Sequence, residues 1–150
     1  MNAKQLFVFF GIAMMLFGVY APAISIPIIG TISFIQYKPD IGQALLVLGT
    51  IAAVLTGVKI WPGVISMALI CSAAIFFSFI ELQNKISGAM EFARSNAHDN
   101  PFVGLLGVGI SAISPQFGWV IMGAGCVLMI VGVVFDIEKL KIQATSENSP

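Results

Sequence analysis

Charged residues divide the chain into uncharged runs whose lengths indicate helices that cross a membrane. Two central runs contain 18 residues, between Asp40 and Lys59, and 21 residues, between Lys59 and Glu81. A helix needs about 20 mainly apolar residues to cross the hydrocarbon core of a bilayer. The two runs therefore predict one membrane-spanning helix each, at about 41–60 and 62–82.

The first uncharged run, 33 residues after Lys4, is too long for a single helix. Its first part predicts a spanning helix at about 5–21, because the residue before Pro22 is disfavoured in helical conformation. Residues 24–37 are rich in β-branched and aromatic side chains, with Gly30 near the centre, and predict a short hairpin. Open strand edges do not occur in hydrocarbon, so we place this hairpin at the membrane surface.

The N-terminal segment also resembles a signal peptide. Lys4 precedes an apolar core, and Ala21-Pro22-Ala23 follows it. Because a proline is unfavourable at such a cleavage site, we expect the segment to be retained as a true helix.

The last uncharged run contains 36 residues and predicts the fourth spanning helix at about 117–137. Trp119 opens this segment at the depth where membrane interfaces are rich in aromatic residues. The preceding segment, 101–115, has 15 residues and three interior glycines, and we interpret it as surface-lying or re-entrant. If it crossed instead as a fifth span, the two termini would lie on opposite sides of the membrane.

The polar stretch after the third predicted span keeps a helical pattern. Ile86, Met90 and Phe92 recur at helical spacing, so the third helix is expected to continue outward as an amphipathic arm. The two outer loops then comprise residues 22–40 and 83–116.

Composition supports an all-α transmembrane fold class. Hydrophobic residues make up 58% of the chain and charged residues only 9%, whereas about a quarter of a soluble domain is charged. The sequence predicts one integral membrane domain, 1–150: a four-helix membrane bundle with a short extracytoplasmic β-hairpin-like first loop and an amphipathic or re-entrant second loop. Zero net charge and scattered basic residues exclude a nucleic-acid-binding surface.

The distribution of Lys and Arg predicts the orientation of the chain, since these residues are more frequent on the cytoplasmic side. An N-terminus in the cytoplasm puts four of them inside and three outside. The short turn between the second and third spans also suits a cytoplasmic connection. We therefore expect both termini on the cytoplasmic side of a plasma or inner membrane. The inner set is Lys4, Lys59, Lys139 and Lys141, and the outer set is Lys38, Lys85 and Arg94.

The predicted spans lack the residues that catalysis or ion transfer requires. They contain no ionisable residue near their centres, where such residues mark ion paths and proton relays. Cys71 and Cys126 lie inside apolar runs and His98 is the single histidine, so the chain alone cannot form a zinc or bis-histidine haem site. Nucleophile motifs, a P-loop and enclosed carboxylate pairs are also missing. We expect no enzymatic activity, no cofactor and no metal.

Glycine spacing is the most regular feature of the predicted spans. Small residues recur at intervals of four on the second helix and of seven on the first and fourth helices. They therefore stay near one face of each helix, where they let backbones approach closely. We expect these faces to pack within the bundle or against identical or foreign chains. The residues are Gly49, Ala53 and Gly57; Gly118, Gly125 and Gly132; and Gly11 and Gly18.

These features predict a protein that functions through contacts. We expect a non-catalytic integral membrane protein that is an accessory subunit of a membrane complex or a self-associating scaffold, with membrane lipid around it. The alternative is an oligomeric pore lined by Thr50, Thr56 and the glycine faces of the helices, with residues 102–113 as a re-entrant or gating segment. The outer-loop side chains expected to make contacts are Ile28, Phe34, Phe102 and Leu105.

The predicted order of elements resembles the claudin-type membrane fold, with four spans, a β-like first outer loop, a short inner turn and a longer second outer loop. The likeness is one of architecture, because the loop Ile24–Tyr37 has neither the Trp-Gly-Leu-Trp run nor the cysteine pair of claudins. The chain is also similar to small uncharacterised bacterial four-helix membrane proteins, in the run Gly18-Val19-Tyr20-Ala21-Pro22 followed by Gly30, Gly42 and Gly49. This resemblance implies a fold and no activity.

Overall fold

A computed structural model describes the backbone of residues 3–26, 30–96 and 101–147, and the side chains of residues 4–26, 30–96, 103 and 107–134. This part of the chain is mostly helical, with six helices and a small three-stranded sheet. The helices are α1 (Ala3–Tyr20), α2 (Phe34–Tyr37), α3 (Pro39–Gly57), α4 (Trp61–Asn96), α5 (Pro101–Ser111) and α6 (Gly118–Glu147). The strands are β1 (Pro22–Ile26), β2 (Gly30–Ser33) and β3 (Ser114–Pro115).

Two of the described helices, α3 and α4, are long and apolar enough to cross a membrane. Within the residues whose side chains are described, the other two long helices have the apolar segments Lys4–Tyr20 in α1 and Gly118–Val134 in α6. Helix α3 begins with Pro39, whose fixed φ suits a first helical position, and Asp40 lies in its first turn. The chain turns from α3 into α4 at Lys59, which has a left-handed φ of 63°.

The four long helices pack as a ring in which neighbours run antiparallel. Helix α1 contacts α3 and α6, and α4 closes the ring by contacting both α3 and α6. Buried apolar side chains from all four helices meet in the centre. The fully buried members of this core include Val8, Met15, Leu45, Val64, Cys71, Met122 and Met129.

A strand pair lies where the alternating pattern predicts the hairpin. Strands β1 and β2 are antiparallel, with Ile24 opposite Ile32 and Ile26 opposite Gly30. The predicted strand ends earlier than expected, because Phe34–Tyr37 forms the short helix α2. The backbone N–H of Ser33 donates to Gln36 Oε1 at 3.1 Å, the arrangement that starts a helix in a capping box.

The third strand was not predicted from the sequence. Strand β3 pairs with the other edge of β1, so that Ser114 lies opposite Ser25 and Pro115 opposite Ile24. The resulting strand order is β2-β1-β3. The sheet lies at the end of the bundle where α1 ends and α6 begins, because β1 directly follows the one helix and β3 directly precedes the other.

Helix α4 continues without a break beyond the predicted span. Its 36 residues have a length of about 54 Å at 1.5 Å per residue, well above the roughly 30 Å of a hydrocarbon core. Helix α5 packs back on this extension, where a Cβ at Gly107 would lie 3.2 Å from the Cβ of the buried Ala93. With 11 residues, α5 spans about 16 Å, which is too short for a fifth crossing.

Candidate functional site

At one end of the bundle, polar groups from three helices lie together. Lys4 Nζ lies 3.8 Å from the centre of the Trp61 ring, which is a cation–π contact. Next to it, Gln5 Nε2 donates to the carbonyl oxygen of Thr56 at 3.3 Å. The start of α1, the end of α3 and the start of α4 therefore lie side by side at the same end of the bundle.

At the opposite end, an ion-pair cluster joins α4 to the start of α3. Glu81 accepts from Lys38, and its second oxygen lies 2.8 Å from Lys85 Nζ. The hydrogen bond to Glu81 stabilises the charged amine and raises the pKa of Lys85, which lies beyond the predicted span. The carboxylate is thus paired with two amines, so it is a structural link between helices and a poor proton acceptor.

Between these two ends, the outside of the bundle is apolar. Large hydrophobic side chains are exposed on all four long helices, where a soluble protein would carry polar groups. Those with more than half of their surface exposed on this part of the four helices are Leu6, Phe7, Phe10, Phe17, Tyr20, Val47, Val54, Leu69, Phe76, Phe77, Val120 and Val127.

The predicted glycines of α1 and α6 lie at the crossing of these two helices. A Cβ at Gly125 would lie 2.6 Å from both Gly11 O and Met15 N, and one at Gly11 would lie 2.8 Å from Gly125 O. At Gly18 it would meet Met122 N at 2.8 Å. These backbones approach to distances that only glycine allows.

The two outer members of the α6 glycine series extend this contact. A Cβ at Gly118 would lie 2.6 Å from Pro22 O, and one at Gly132 would lie 2.9 Å from Val8 Cγ2. The α6 glycines at intervals of seven therefore contact α1 from Val8 onward and reach Pro22, the first residue of β1.

The small residues of α3 turn gradually from the interior to the surface. Gly49 packs on α1, where its Cβ would lie 2.7 Å from Leu16 Cδ2. Ala53 is half-buried against the core, and Gly57 is exposed with open space around its Cβ position. Only the end of this series is open to another molecule.

An aromatic cluster connects α6 to the outer layer. Trp119 packs edge-on against Phe34 at 5.1 Å and against Phe79 at 5.3 Å, and its indole N–H donates to Ala23 O at 2.9 Å. Phe34 is fully buried, so its ring is occupied by packing inside the chain and is not an outer-surface contact. Ile28 and the side chains of Phe102 and Leu105 lie outside the described residues.

The serine and threonine hydroxyls of the long helices are mostly satisfied within their own helix. Thr50 Oγ1 donates to Leu46 O at 2.8 Å and Thr56 Oγ1 donates to Ala52 O at 2.7 Å. Thr50 is exposed and Thr56 is buried, so the two side chains do not line a common surface of one chain. Among the described residues, no group of three His, Cys, Asp or Glu side chains is placed to hold a metal ion.

A concave surface with an apolar lining lies between α4 and α6. It is a groove of about 720 Å³. Phe79 and Trp119 form one end of this α4–α6 groove, and Leu69 and Val127 form the other. Its remaining lining residues are Ser72, Ala73, Ile75, Phe76, Val120 and Gly123.

The sequence did not predict the α4–α6 groove. Gly123 lies outside the seven-residue glycine series, and a Cβ there would meet nothing within 4 Å. That departure from the series was the available signal, because a glycine on another face of α6 cannot serve the contact with α1.

Comparison of the chain with protein-family models, curated proteins and solved structures finds no match.

Proposed function

We propose that the chain is an integral membrane protein with four crossings that acts through contacts, as an accessory subunit of a membrane complex or as a self-associating scaffold. The observation that carries this proposal is the apolar exterior between two polar ends. Trp61 at one end and Glu81 at the other are 20 residues apart on α4, or about 30 Å, which is the thickness of a hydrocarbon core.

The packing of α1 and α6 supports four crossings over two. Helix α1 packs against α3 and helix α6 packs against α4, and backbone contacts at Gly11 and Gly125 hold α1 and α6 together. A bundle with only α3 and α4 in lipid would leave the exposed Phe10 and Phe17 of α1 in water. Burial of such side chains in lipid is favourable.

We place both termini in the cytoplasm on the four-to-three excess of Lys and Arg that the whole sequence gives to that side. Lys4 and Lys59 belong to the end of the bundle where α1 begins, whereas Lys38 and Lys85 belong to the end with the sheet. With the N-terminus inside, the sheet, α2, α5 and the extension of α4 form an outer layer.

Site-specific thiol labelling tests this topology. In intact cells, we expect a membrane-impermeant maleimide to label Ser87→Cys, which is exposed on the outer extension of α4. We expect it to label Val58→Cys, at the exposed turn before Lys59, only after permeabilisation. The native thiols of Cys71 and Cys126 are buried and give a low background. The reverse pattern would invert the proposed orientation, and labelling of both sites in intact cells would contradict the crossing between them.

Association is tested by native mass spectrometry of the protein extracted in mild detergent. We expect the wild-type protein to carry a second copy or a distinct partner chain. Gly57→Leu should lower the occupancy of that partner, because the open end of the α3 series is the part left for an approaching helix. Gly88→Leu is the matched control, since Gly88 is also exposed with open space around it but lies on the outer extension of α4.

A strictly monomeric wild-type protein without a co-purifying chain would contradict a function through contacts. Equal partner occupancy in the two leucine variants would place the contact away from α3.

A further inference from the structure

We propose that Lys59, in the turn between α3 and α4, binds the phosphate group of an anionic phospholipid in the cytoplasmic leaflet. This inference rests on the membrane embedding and the orientation proposed above, and it adds a lipid class and a contact residue to them. It follows from the backbone of the turn, from the exposed side chains beside Lys59 and from the position of the described carboxylates.

The turn from α3 to α4 has a lysine where glycine is favoured. The N–H of Lys59 donates to Thr56 O at 3.3 Å. The N–H of Ile60 donates to Leu55 O at 2.9 Å. These two bonds form a Schellman motif, in which the residue after the C-cap is left-handed and is usually glycine. Lys59 has this position with a φ of 63°, and among the described residues it is the one non-glycine residue with a positive φ.

Close packing of the two helices determines this conformation. A Cβ at Gly63, in the first turn of α4, would lie 2.9 Å from Leu55 Cδ1 and 3.5 Å from Ile60 Cγ2, so the turn is tight. A left-handed conformation is unfavourable for a residue with a Cβ. A positive charge near the end of α3 is favourable, but a lysine at position 58 or 60 would supply it without this strain. A residue that is kept in a strained conformation indicates a function for its side chain.

The neighbours of Lys59 place it at the membrane interface. Val58 is 65% exposed and Ile60 is 48% exposed, so the lysine lies between two apolar side chains that are stabilised by contact with lipid. Trp61 follows, and tryptophan is favoured at the interface. Lys59 is itself exposed, and a long lysine side chain at this depth extends its amine toward the phosphate layer.

The described carboxylates are far from Lys59. They are Asp40, Glu81 and Glu91, and they belong to the opposite end of the bundle or to the outer extension of α4, about 30 Å or more away along the helices. Glu81 is also already paired with two lysines there. The counterion of Lys59 is therefore not one of the described side chains. Anionic lipids give the cytoplasmic leaflet a negative surface potential, and one lysine near it strengthens binding about fivefold.

Thermal unfolding with defined lipids tests the proposal. Anionic phosphatidylglycerol or zwitterionic phosphatidylcholine is added to the protein in mild detergent, and a thiol-reactive fluorophore reports exposure of the buried Cys71 and Cys126. A lipid that binds only the folded protein raises its unfolding temperature. We expect phosphatidylglycerol to raise the unfolding temperature of the wild type by about 2–4 °C more than phosphatidylcholine does.

Lys59→Gly is expected to have two effects. In phosphatidylcholine it should unfold about 2 °C or more above the wild type, because glycine accepts the left-handed conformation without strain. The additional effect of phosphatidylglycerol should disappear. Lys59→Arg keeps the charge and should keep the additional effect. Arg94→Asn is the control, because it also removes one positive charge, but from an exposed position on the outer extension of α4, and its response to phosphatidylglycerol should equal that of the wild type.

An unchanged effect of phosphatidylglycerol in Lys59→Gly would overturn the lipid contact while leaving membrane embedding intact. Unfolding of Lys59→Gly below the wild type in phosphatidylcholine would show that the turn needs lysine for its own stability, and would also overturn it. An equal stabilisation by inorganic phosphate would assign the contact to a free anion and overturn the lipid as ligand. Wild-type protein that stays folded and soluble without detergent or lipid would overturn both proposals together.

Discussion

Replacing Gly125 with valine is expected to separate α1 from α6 and to destabilise the protein by about 3 kcal/mol or more, the upper end of usual overpacking penalties. Even the first atom of the new side chain would lie 2.6 Å from Gly11 O and Met15 N. These are backbone atoms, so a change of side-chain rotamer cannot relieve the clash. The helices must move apart, and the close packing that stabilises helix pairs in lipid is then lost.

The native thiols provide the measurement for this variant. Cys71 and Cys126 are buried and free, so a thiol-reactive fluorophore reports thermal unfolding of the purified protein in detergent. Gly123→Val, two residues away on the same helix, is the matched control because its Cβ position is open. We expect the control to unfold near the wild-type temperature. A similar decrease in unfolding temperature in the two variants would show that the α1–α6 crossing does not require glycine.

Replacing Trp119 with alanine is expected to cost about 3–5 kcal/mol, as for other buried aromatic residues. The substitution removes the edge-on contacts with Phe34 and Phe79 and the hydrogen bond to Ala23 O. These interactions connect α6 to α2, α4 and β1, so the outer layer should loosen together with the helix ends. Increased proteolysis of the sheet region, together with the lower unfolding temperature, is the expected result.

Phe117→Ala is the control for Trp119→Ala. Phe117 is an aromatic residue of the same segment, but it is exposed, and its truncation leaves no cavity. We expect its unfolding temperature to stay near that of the wild type. If Trp119→Ala lowered the unfolding temperature as little as Phe117→Ala, the aromatic cluster would not connect the outer layer to the bundle.

The spacing of charges was sufficient to predict α3 and α4. Each lies between charges or turn residues about 20 positions apart, and a long apolar run has few alternatives to a helix. The continuation of α4 was also predictable from the sequence, because its apolar residues keep helical spacing. For the hairpin, alternation and Gly30 predicted the pair of β1 and β2, and its end was misplaced because the Ser33–Gln36 cap favours the local helix α2.

Glycine spacing indicated which helix faces come close to a neighbour, but it did not identify the neighbour. An interval of seven on α1 and on α6 is compatible with several arrangements of the helices. The structure pairs Gly11 with Gly125 and Gly18 with Met122, because antiparallel packing brings these levels together. Gly57 makes no such contact, because it is exposed at the end of α3, although α1 reaches the neighbouring Thr56 through Gln5.

By itself, the sequence determined the mostly helical class, the apolar runs that form α3 and α4, and the lack of a recognisable catalytic motif, since these depend on local composition and period. The tertiary structure decided the features that require residues far apart in the chain. Ser114 reaches Ser25 in the sheet, and Phe34 is buried under Trp119. The α4–α6 groove is lined by residues of two helices that lie about 50 positions apart in the chain. Such features depend on how side chains share space, and no local pattern contains that information.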